Sequence, residues 1–137
     1  ITPKMLENSP RLENVLKDFR IFLEDDVFIA HDIKFDYTFI SESLEKYNLG
    51  KLLNRKICSI DLAQRTIESE RYGLSFLKEL LNIEIENHHR AYYDALTTAI
   101  IFEKSLQNLD SNKIKTVEEL ITFSKSDNVI NSTLKKA

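Results

Sequence analysis

Two short apolar runs set between helical patterns constrain the fold of this chain most. Residues 27–31 are continuous and rich in β-forming side chains, which is typical of a strand buried on both faces in a parallel sheet. Residues 57–60 form a second short run that predicts a strand. Because helices are predicted before, between and after these strands, the predicted fold class is α/β. A sheet normally has about four to six strands, so we expect further strands outside this sequence, most simply before Ile1.

Apolar residues that recur at three- and four-residue steps predict the helices. An amphipathic helix is predicted from an apolar stripe at Leu12, Val15, Leu16, Phe19, Phe22 and Leu23. A later helix, over residues 91–106, carries a predicted buried stripe at Ala95, Ala99, Phe102 and Leu106. The other predicted helices cover residues 3–6, 36–47, 61–69, 74–82 and 117–125, the last behind a capping box that begins at Thr116.

Composition and charge exclude several classes of function. The net charge of −3 argues against a generally basic nucleic-acid binder, so a phosphate-handling site would be local and would draw positive charge from metal ions. The single cysteine, Cys58, rules out an internal disulfide and fits a reducing, cytoplasmic location. No apolar run approaches the roughly 20 residues that span a bilayer, so no membrane partner is expected. The sequence has no phosphate-binding glycine loop, no nucleophile elbow and no Cys-x-x-Cys pair.

A polar segment at residues 87–95 contains the first candidate site. His89 lies five residues before Asp94, which places the imidazole just before the helix and the carboxylate on its second turn. A base that titrates near neutral pH and an acidic metal ligand are thus expected near one point, where the helix dipole favours negative charge. An ordinary solvated helix start is an equally good interpretation of this segment alone.

Asp36 is the second candidate. It follows the first predicted strand, and ligands of open α/β sheets bind beyond the carboxyl ends of the strands. Phe35 is expected to pack beneath it. The alternative is that Asp36 is only an acidic residue favoured by the start of a helix.

Together the two segments resemble a known family. His-Asp-x-x-Phe-Asp at residues 31–36 and His-Arg-Ala-x-x-Asp-Ala at residues 89–95 are similar to the second and third motifs of the DnaQ-like (DEDDh) 3′→5′ exonucleases, which have a ribonuclease H-like fold. The family includes the proofreading epsilon subunit of bacterial DNA polymerase III. The resemblance extends in order from Ile1 to about Leu106, and it implies an exonuclease domain over residues 1–109 followed by a helical extension with a polar tail over residues 110–137.

The resemblance assigns roles to four residues. It implies that Asp36 and Asp94 are ligands of Mg²⁺ or Mn²⁺, two ions in the intact enzyme, and that His89 is the general base. Asp61 matches an acidic position that supports the site. Two such ions would stabilise the attacking and leaving oxygens of phosphodiester hydrolysis, and hard oxygen ligands suit them.

The sequence indicates the residues that contact the substrate less clearly than it indicates the metal ligands. Phe35, Tyr92 and Arg90 are candidates for binding a terminal base or phosphate, although Phe35 is more simply a core residue, as is Tyr37. Arg90 is equally well explained by a local salt bridge. The family usually has Asn where this chain has Asp32, and an extra negative charge there is expected to disfavour phosphate.

The resemblance also shows a departure. The family's first motif, Asp-x-Glu on an earlier strand, has no counterpart in this sequence, so we expect this stretch by itself to be inactive and the parent protein to be the enzyme. The implied substrate is a single-stranded DNA 3′ end, with proofreading beside the DNA polymerase III alpha subunit; an RNA-trimming exonuclease and a non-catalytic nucleic-acid- or polymerase-interaction module are the alternatives. An uncovered edge of the first strand predicts a homo-oligomer.

Overall fold

A computed structural model of the chain describes residues 2–85 and 90–130. Every predicted helix and strand is present within these residues, most of them with shifted bounds. In chain order the elements are α1 Pro3–Leu6, α2 Leu12–Leu23, β1 Phe28–Ala30, α3 Ile33–Lys46, β2 Lys56–Cys58, α4 Ser59–Thr66, α5 Leu74–Leu80, α6 Ala91–Gln107 and α7 Val117–Ser124. No helix in the described part combines the length and apolar character that crossing a membrane requires.

The chain divides into two compact units. The first comprises residues 1–28 and 35–55, and the second comprises residues 29–34 and 56–137. Asp36 belongs to the first unit, whereas Asp61 and Asp94 belong to the second.

Aromatic packing and side-chain hydrogen bonds to the backbone organise the first unit. The ring of Phe28 lies edge-on to Phe19 at 6.3 Å and to Tyr37 at 5.7 Å between ring centroids. The Tyr37 hydroxyl lies within hydrogen-bonding distance of the carbonyls of Leu52, at 2.9 Å, and Asn54, at 3.0 Å. Tyr37 therefore anchors the segment after α3, as the predicted inward position of its ring requires.

The apolar stripe of α2 is covered only in part. Leu16 and Leu23 are buried, but Phe22 is 80% exposed. The amphipathic helix is confirmed, but its apolar stripe is not buried throughout, since Leu12 and Val15 are exposed as well. The stripe is wider than the surface that packs against it within this unit.

Apart from Phe28, which belongs to the first unit, β1 and β2 lie in the second unit and pair as a small parallel sheet. Both strands are shorter than predicted, and Phe28 is the buried residue of β1, followed by half-buried Ile29 and Ala30. Burial on both faces is therefore wrong for this strand, because a two-stranded sheet gives its residues few neighbours. The predicted homo-oligomer that would cover this edge stays a prediction.

Helix α6 packs against α4 and α5, but not through its predicted stripe. Its buried residues are Thr97, Thr98, Ile101 and Ser105, whereas the predicted stripe of Ala95, Ala99, Phe102 and Leu106 is exposed or half-buried. The threonine hydroxyls donate one turn back, Thr97 to the Tyr93 carbonyl at 2.8 Å and Thr98 to the Asp94 carbonyl at 2.9 Å. Small side chains that satisfy their own hydroxyls allow close helix packing, and apolar periodicity does not detect them.

The core of the second unit lies between α4, α5 and α6. Ala63, Leu77 and Ile101 are fully buried and pack with Ile67 and Tyr72. The spacing of Leu74, Leu77 and Leu81 predicts that these residues face inward, which is confirmed because Leu77 is buried and the other two are half-buried against the same core. The extension helix α7 also packs here, against α4 and β2, and the predicted domain boundary near residue 109 stays a prediction.

The turn after β1 has a constrained backbone. Asp32 adopts a φ of 68°, in the left-handed region. Asn and Asp are the residues other than glycine that enter this region most readily, because their short polar side chains bond locally to the backbone. The Asn that is usual in the resembled family and the Asp of this chain thus meet the same backbone requirement.

We predict that Asp32→Asn leaves the free energy of unfolding within about 0.5 kcal/mol, whereas Asp32→Val lowers it by about 1–2 kcal/mol. Asp32 is exposed, so lost packing does not contribute. Urea unfolding checks this, with Asp25→Val as the control because Asp25 is exposed and lacks a positive φ. Equal losses for the valine variants at positions 25 and 32 would contradict the backbone explanation.

The imidazole of His31 should make the stability of the fold depend on pH. Its Nδ1 lies 2.7 Å from the Ser59 hydroxyl and its Nε2 lies 2.6 Å from the Tyr72 carbonyl. Burial lowers the pKa of His31, although the hydrogen bond to Tyr72 and the charge of Asp32 partly oppose this. Below an unfolded-state pKa of about 6.5, the unfolded chain takes up a proton that the folded chain does not.

Stability is therefore predicted to fall as the pH is lowered through about 6.5 and to keep falling until the folded-state pKa is reached. Urea midpoints between pH 7.5 and 5.5 measure this, and the dependence should be shallower in His31→Gln than in the wild type. Identical pH profiles for the two proteins would show that His31 does not contribute.

Candidate functional site

The carboxylate of Asp94 stands at a well-defined helix start. Helix α6 begins at Ala91 because Arg90 is extended, with φ −108° and ψ 137°, and the amides of Tyr93 and Asp94 donate to its carbonyl at 3.0 and 3.2 Å. Asp94 therefore lies on the first turn, one turn earlier than predicted, and its side chain is exposed. The helix dipole favours negative charge at this position.

Asp94 lines a small cleft between α5 and α6, here called the Asp94 cleft. Its lining residues are Leu74, Ser75 and Lys78 from α5 and Tyr93, Asp94 and Thr97 from α6. Lys78 is half-buried and Ser75 is exposed. The cleft is thus lined by one acidic residue, one lysine and three hydroxyl-bearing residues of the second unit.

Lys78 and Ser75 are the functional candidates that the sequence did not indicate. The leucine spacing of α5 predicts its inward face and assigns no role to the polar residues between the leucines. A usable signal was present, since residues three apart share a helix face and Ser75 and Lys78 have that spacing.

Asp61 lies in a charged part of the second unit, on the first turn of α4. Burial raises the pKa of its carboxyl group; the positive charges of Arg65 and Lys125 oppose the rise and the negative charge of Asp32 adds to it. Arg65 donates to the Asp61 carbonyl at 2.7 Å and to the Ser126 carbonyl at 2.7 Å, which ties α4 to the segment after α7. Helix α4 begins at Ser59, two residues earlier than predicted.

In the first unit, Asp36 is half-buried on the first turn of α3. The helix begins at Ile33, so Asp36 lies within it rather than opening it. The ring of Phe35 is 72% exposed, which overturns the prediction that it packs beneath Asp36 as a core residue. An exposed ring remains available for contact with a ligand.

The other aromatic candidates lie on α6. Tyr92 is 70% exposed and packs edge-on against half-buried Tyr93, with 5.3 Å between ring centroids. Arg90 is exposed at the helix start. His89 and its neighbour His88 lie outside the described residues, so the predicted general base has no structural description here.

The oxygen-bearing side chains that line the Asp94 cleft are of the type that binds hard cations. Mg²⁺ and Mn²⁺ prefer carboxylate and other oxygen ligands, which Asp94 and the neighbouring hydroxyls present. Within residues 2–85 and 90–130, no group of three or more His, Cys, Asp or Glu side chains is arranged to hold a metal ion. One carboxylate with neutral oxygens holds such an ion weakly, so a complete site requires further carboxylates.

Comparison with known proteins identifies the family. DNA polymerase III PolC-type proteins of Staphylococcus haemolyticus (strain JCSC1435), Staphylococcus epidermidis and Staphylococcus aureus are each 39% identical to the chain over 111 residues. The match covers 80% of this chain and 8% of each relative, so the chain spans a small part of their length.

A solved structure shares the fold. The chain superposes on exonuclease X, solved in complex with 5′ overhanging duplex DNA, with a TM-score of 0.63 and 22% identity, over 90% of this chain and 68% of that chain. The fold class is therefore the α/β, ribonuclease H-like fold that the sequence predicted. The profile of the RNase T exonuclease family matches residues 1–102, well over half of the sequence, and the chain therefore belongs to this DnaQ-like exonuclease family.

Proposed function

We propose that the chain is part of a metal-dependent 3′→5′ exonuclease that hydrolyses phosphodiester bonds at DNA 3′ ends during proofreading. The observation that carries the proposal is Asp94, an exposed carboxylate fixed on the first turn of α6 in its own cleft, within a sequence that matches the exonuclease family. Because the PolC-type relatives are named as DNA polymerases, DNA is favoured over RNA as substrate and a polymerase as the working partner.

In this proposal Asp36 and Asp94 hold the divalent ions, Mg²⁺ or Mn²⁺. When bound, such ions neutralise phosphate charge and stabilise the attacking and leaving oxygens. His89 accepts the proton of the attacking water, since an imidazole titrates near neutral pH. Asp61 supports the site from α4, where its raised pKa reflects a carboxylate withdrawn from water.

Exposed aromatic side chains support binding of a single strand. Phe35 and Tyr92 leave 72% and 70% of their surfaces in solvent, so both rings are accessible to a nucleobase. Stacking on nucleobases is worth about 1–3 kcal/mol per base and tolerates any sequence, as proofreading requires. Arg90, exposed at the start of α6, is placed in the same proposal as a phosphate contact.

The test uses the full protein and a single-stranded DNA labelled at its 3′ end. We expect Mn²⁺ or Mg²⁺ to support release of the labelled nucleotide and a chelator to abolish it. Asp94→Asn should lower the rate at least about 100-fold. Removing a metal ligand should reduce activity at least as much as removing a residue that only hydrogen-bonds to a ligand. Glu103→Gln, which removes an exposed carboxylate from the same helix, is the matched control and should retain the wild-type rate.

The same assay measures the direction of hydrolysis and the preference for DNA over RNA. A strand labelled at its 5′ end should shorten from the other end one nucleotide at a time, and an RNA strand of the same sequence should be cleaved more slowly. Release that is equal with metal and with chelator, or unaffected by Asp94→Asn, would contradict the proposal. Strand binding without any hydrolysis would favour the interaction-module alternative.

A further inference from the structure

Lys78 lies in the Asp94 cleft without an assigned role. It is half-buried and lines the same cleft as Asp94. A lysine in such a position commonly packs its aliphatic stem on the protein and keeps its ammonium group in water. With the residues that the structure describes, Lys78 forms no ion pair. A lysine that lines a cleft and pairs with no described acidic residue has the capacity to bind an anion.

The negative charge of the whole chain explains why a local cation at this position matters for binding a nucleic-acid strand. With a net charge of −3, the domain does not attract a polyanion by itself, and its proposed site contains carboxylates. Metal ions would offset the charge of the phosphate being cleaved, but the neighbouring phosphates of the strand need another positive group. A lysine ammonium, as a compact point charge, suits a single phosphate oxygen.

Ser75 completes the arrangement. It lies three residues before Lys78 on α5 and lines the same cleft, so its hydroxyl is available as a second donor. Tyr93 and Thr97 form the facing wall on α6, where the Thr97 hydroxyl is already engaged by the Tyr93 carbonyl. Lys78 and Ser75 are therefore the donors of the cleft best suited to an external phosphate.

We propose that Lys78, with the hydroxyl of Ser75 beside it, binds a backbone phosphate of the nucleic-acid strand next to the one being cleaved. The inference rests on the proposed function and adds a substrate-binding residue to it. Lys78 holds the strand in register with Asp94 and takes no part in bond cleavage.

A competing role is electrostatic pairing of Lys78 with Asp94. That role and the proposed one differ in what they change. A lysine that neutralises Asp94 weakens metal binding, so its removal would raise Mn²⁺ affinity. A lysine that binds the strand leaves Mn²⁺ affinity unchanged and alters strand affinity.

The experiment measures strand binding and hydrolysis separately in the full protein. Fluorescence anisotropy with a labelled single-stranded oligonucleotide in chelator reports binding without turnover, and steady-state kinetics with Mn²⁺ report KM and kcat. Lys78→Met keeps the aliphatic length and removes the charge, and Lys78→Arg keeps the charge. Lys104→Met, at an exposed position in the last turn of α6, removes the same charge elsewhere.

We expect Lys78→Met to raise Kd and KM about 10-fold, as for the loss of one charge-assisted hydrogen bond, with kcat within about twofold of the wild type. The slope of log Kd against log salt concentration should shrink by about 0.7, the value for one phosphate contact on a single strand. Lys78→Arg should retain most of the affinity, and Lys104→Met should match the wild type. If Lys78→Met does not fold, as judged by circular dichroism, Lys78→Gln replaces it.

Three results would overturn the inference: an unchanged Kd in Lys78→Met, an equal loss in Lys104→Met, or a raised Mn²⁺ affinity, read from the dependence of the hydrolysis rate on Mn²⁺ concentration, with unchanged strand affinity. Failure of the proposed function is distinguishable. If the wild type binds the strand but hydrolyses nothing, the exonuclease proposal fails, while the anisotropy series still decides whether Lys78 contacts a phosphate.

Discussion

The imidazole of His31 is held from both sides within the second unit. A carbonyl can only accept, so the nitrogen facing the Tyr72 carbonyl must carry the proton, and the other nitrogen accepts from the Ser59 hydroxyl. One neutral ring thus joins the end of β1, the start of α4 and the segment that leads into α5. The Tyr72 hydroxyl, which lies 2.6 Å from the Ile67 carbonyl, fastens the same segment to the end of α4. Tyr72 lies two residues before the start of α5 at Leu74, so these bonds hold the segment that leads into the α5 wall of the Asp94 cleft.

The strand-and-helix order was predictable because it follows from local patterns. Short apolar runs predicted β1 and β2, and a Ser/Thr–Glu capping signal predicted α7, where the Glu119 amide donates to the Thr116 hydroxyl at 3.1 Å. The buried face of α6 was not predictable from apolar periodicity. Thr97 and Thr98 are buried because each hydroxyl finds a carbonyl one turn back, a property of the folded helix rather than of residue hydrophobicity.

The candidate site was likewise predictable only in part. The motif containing Asp94 indicated a functional carboxylate, and the structure adds the cleft around it. The exposure of Phe35 was missed because a phenylalanine after an apolar run is usually a core residue. Asp32 was interpreted through its charge, whereas its left-handed backbone explains why a short polar residue occupies that position. Lys78 was missed because its significance comes from α6, a helix distant from it in the sequence.

The proposed function depends most on metal binding by Asp36 and Asp94, and equilibrium binding of Mn²⁺ to the full protein tests it most directly. Asp36→Asn and Asp94→Asn should each weaken Mn²⁺ binding at least about 10-fold. Glu103→Gln should bind Mn²⁺ as the wild type does. Mn²⁺ binding that is weakened by Asp94→Asn and untouched by Asp36→Asn would contradict the proposal.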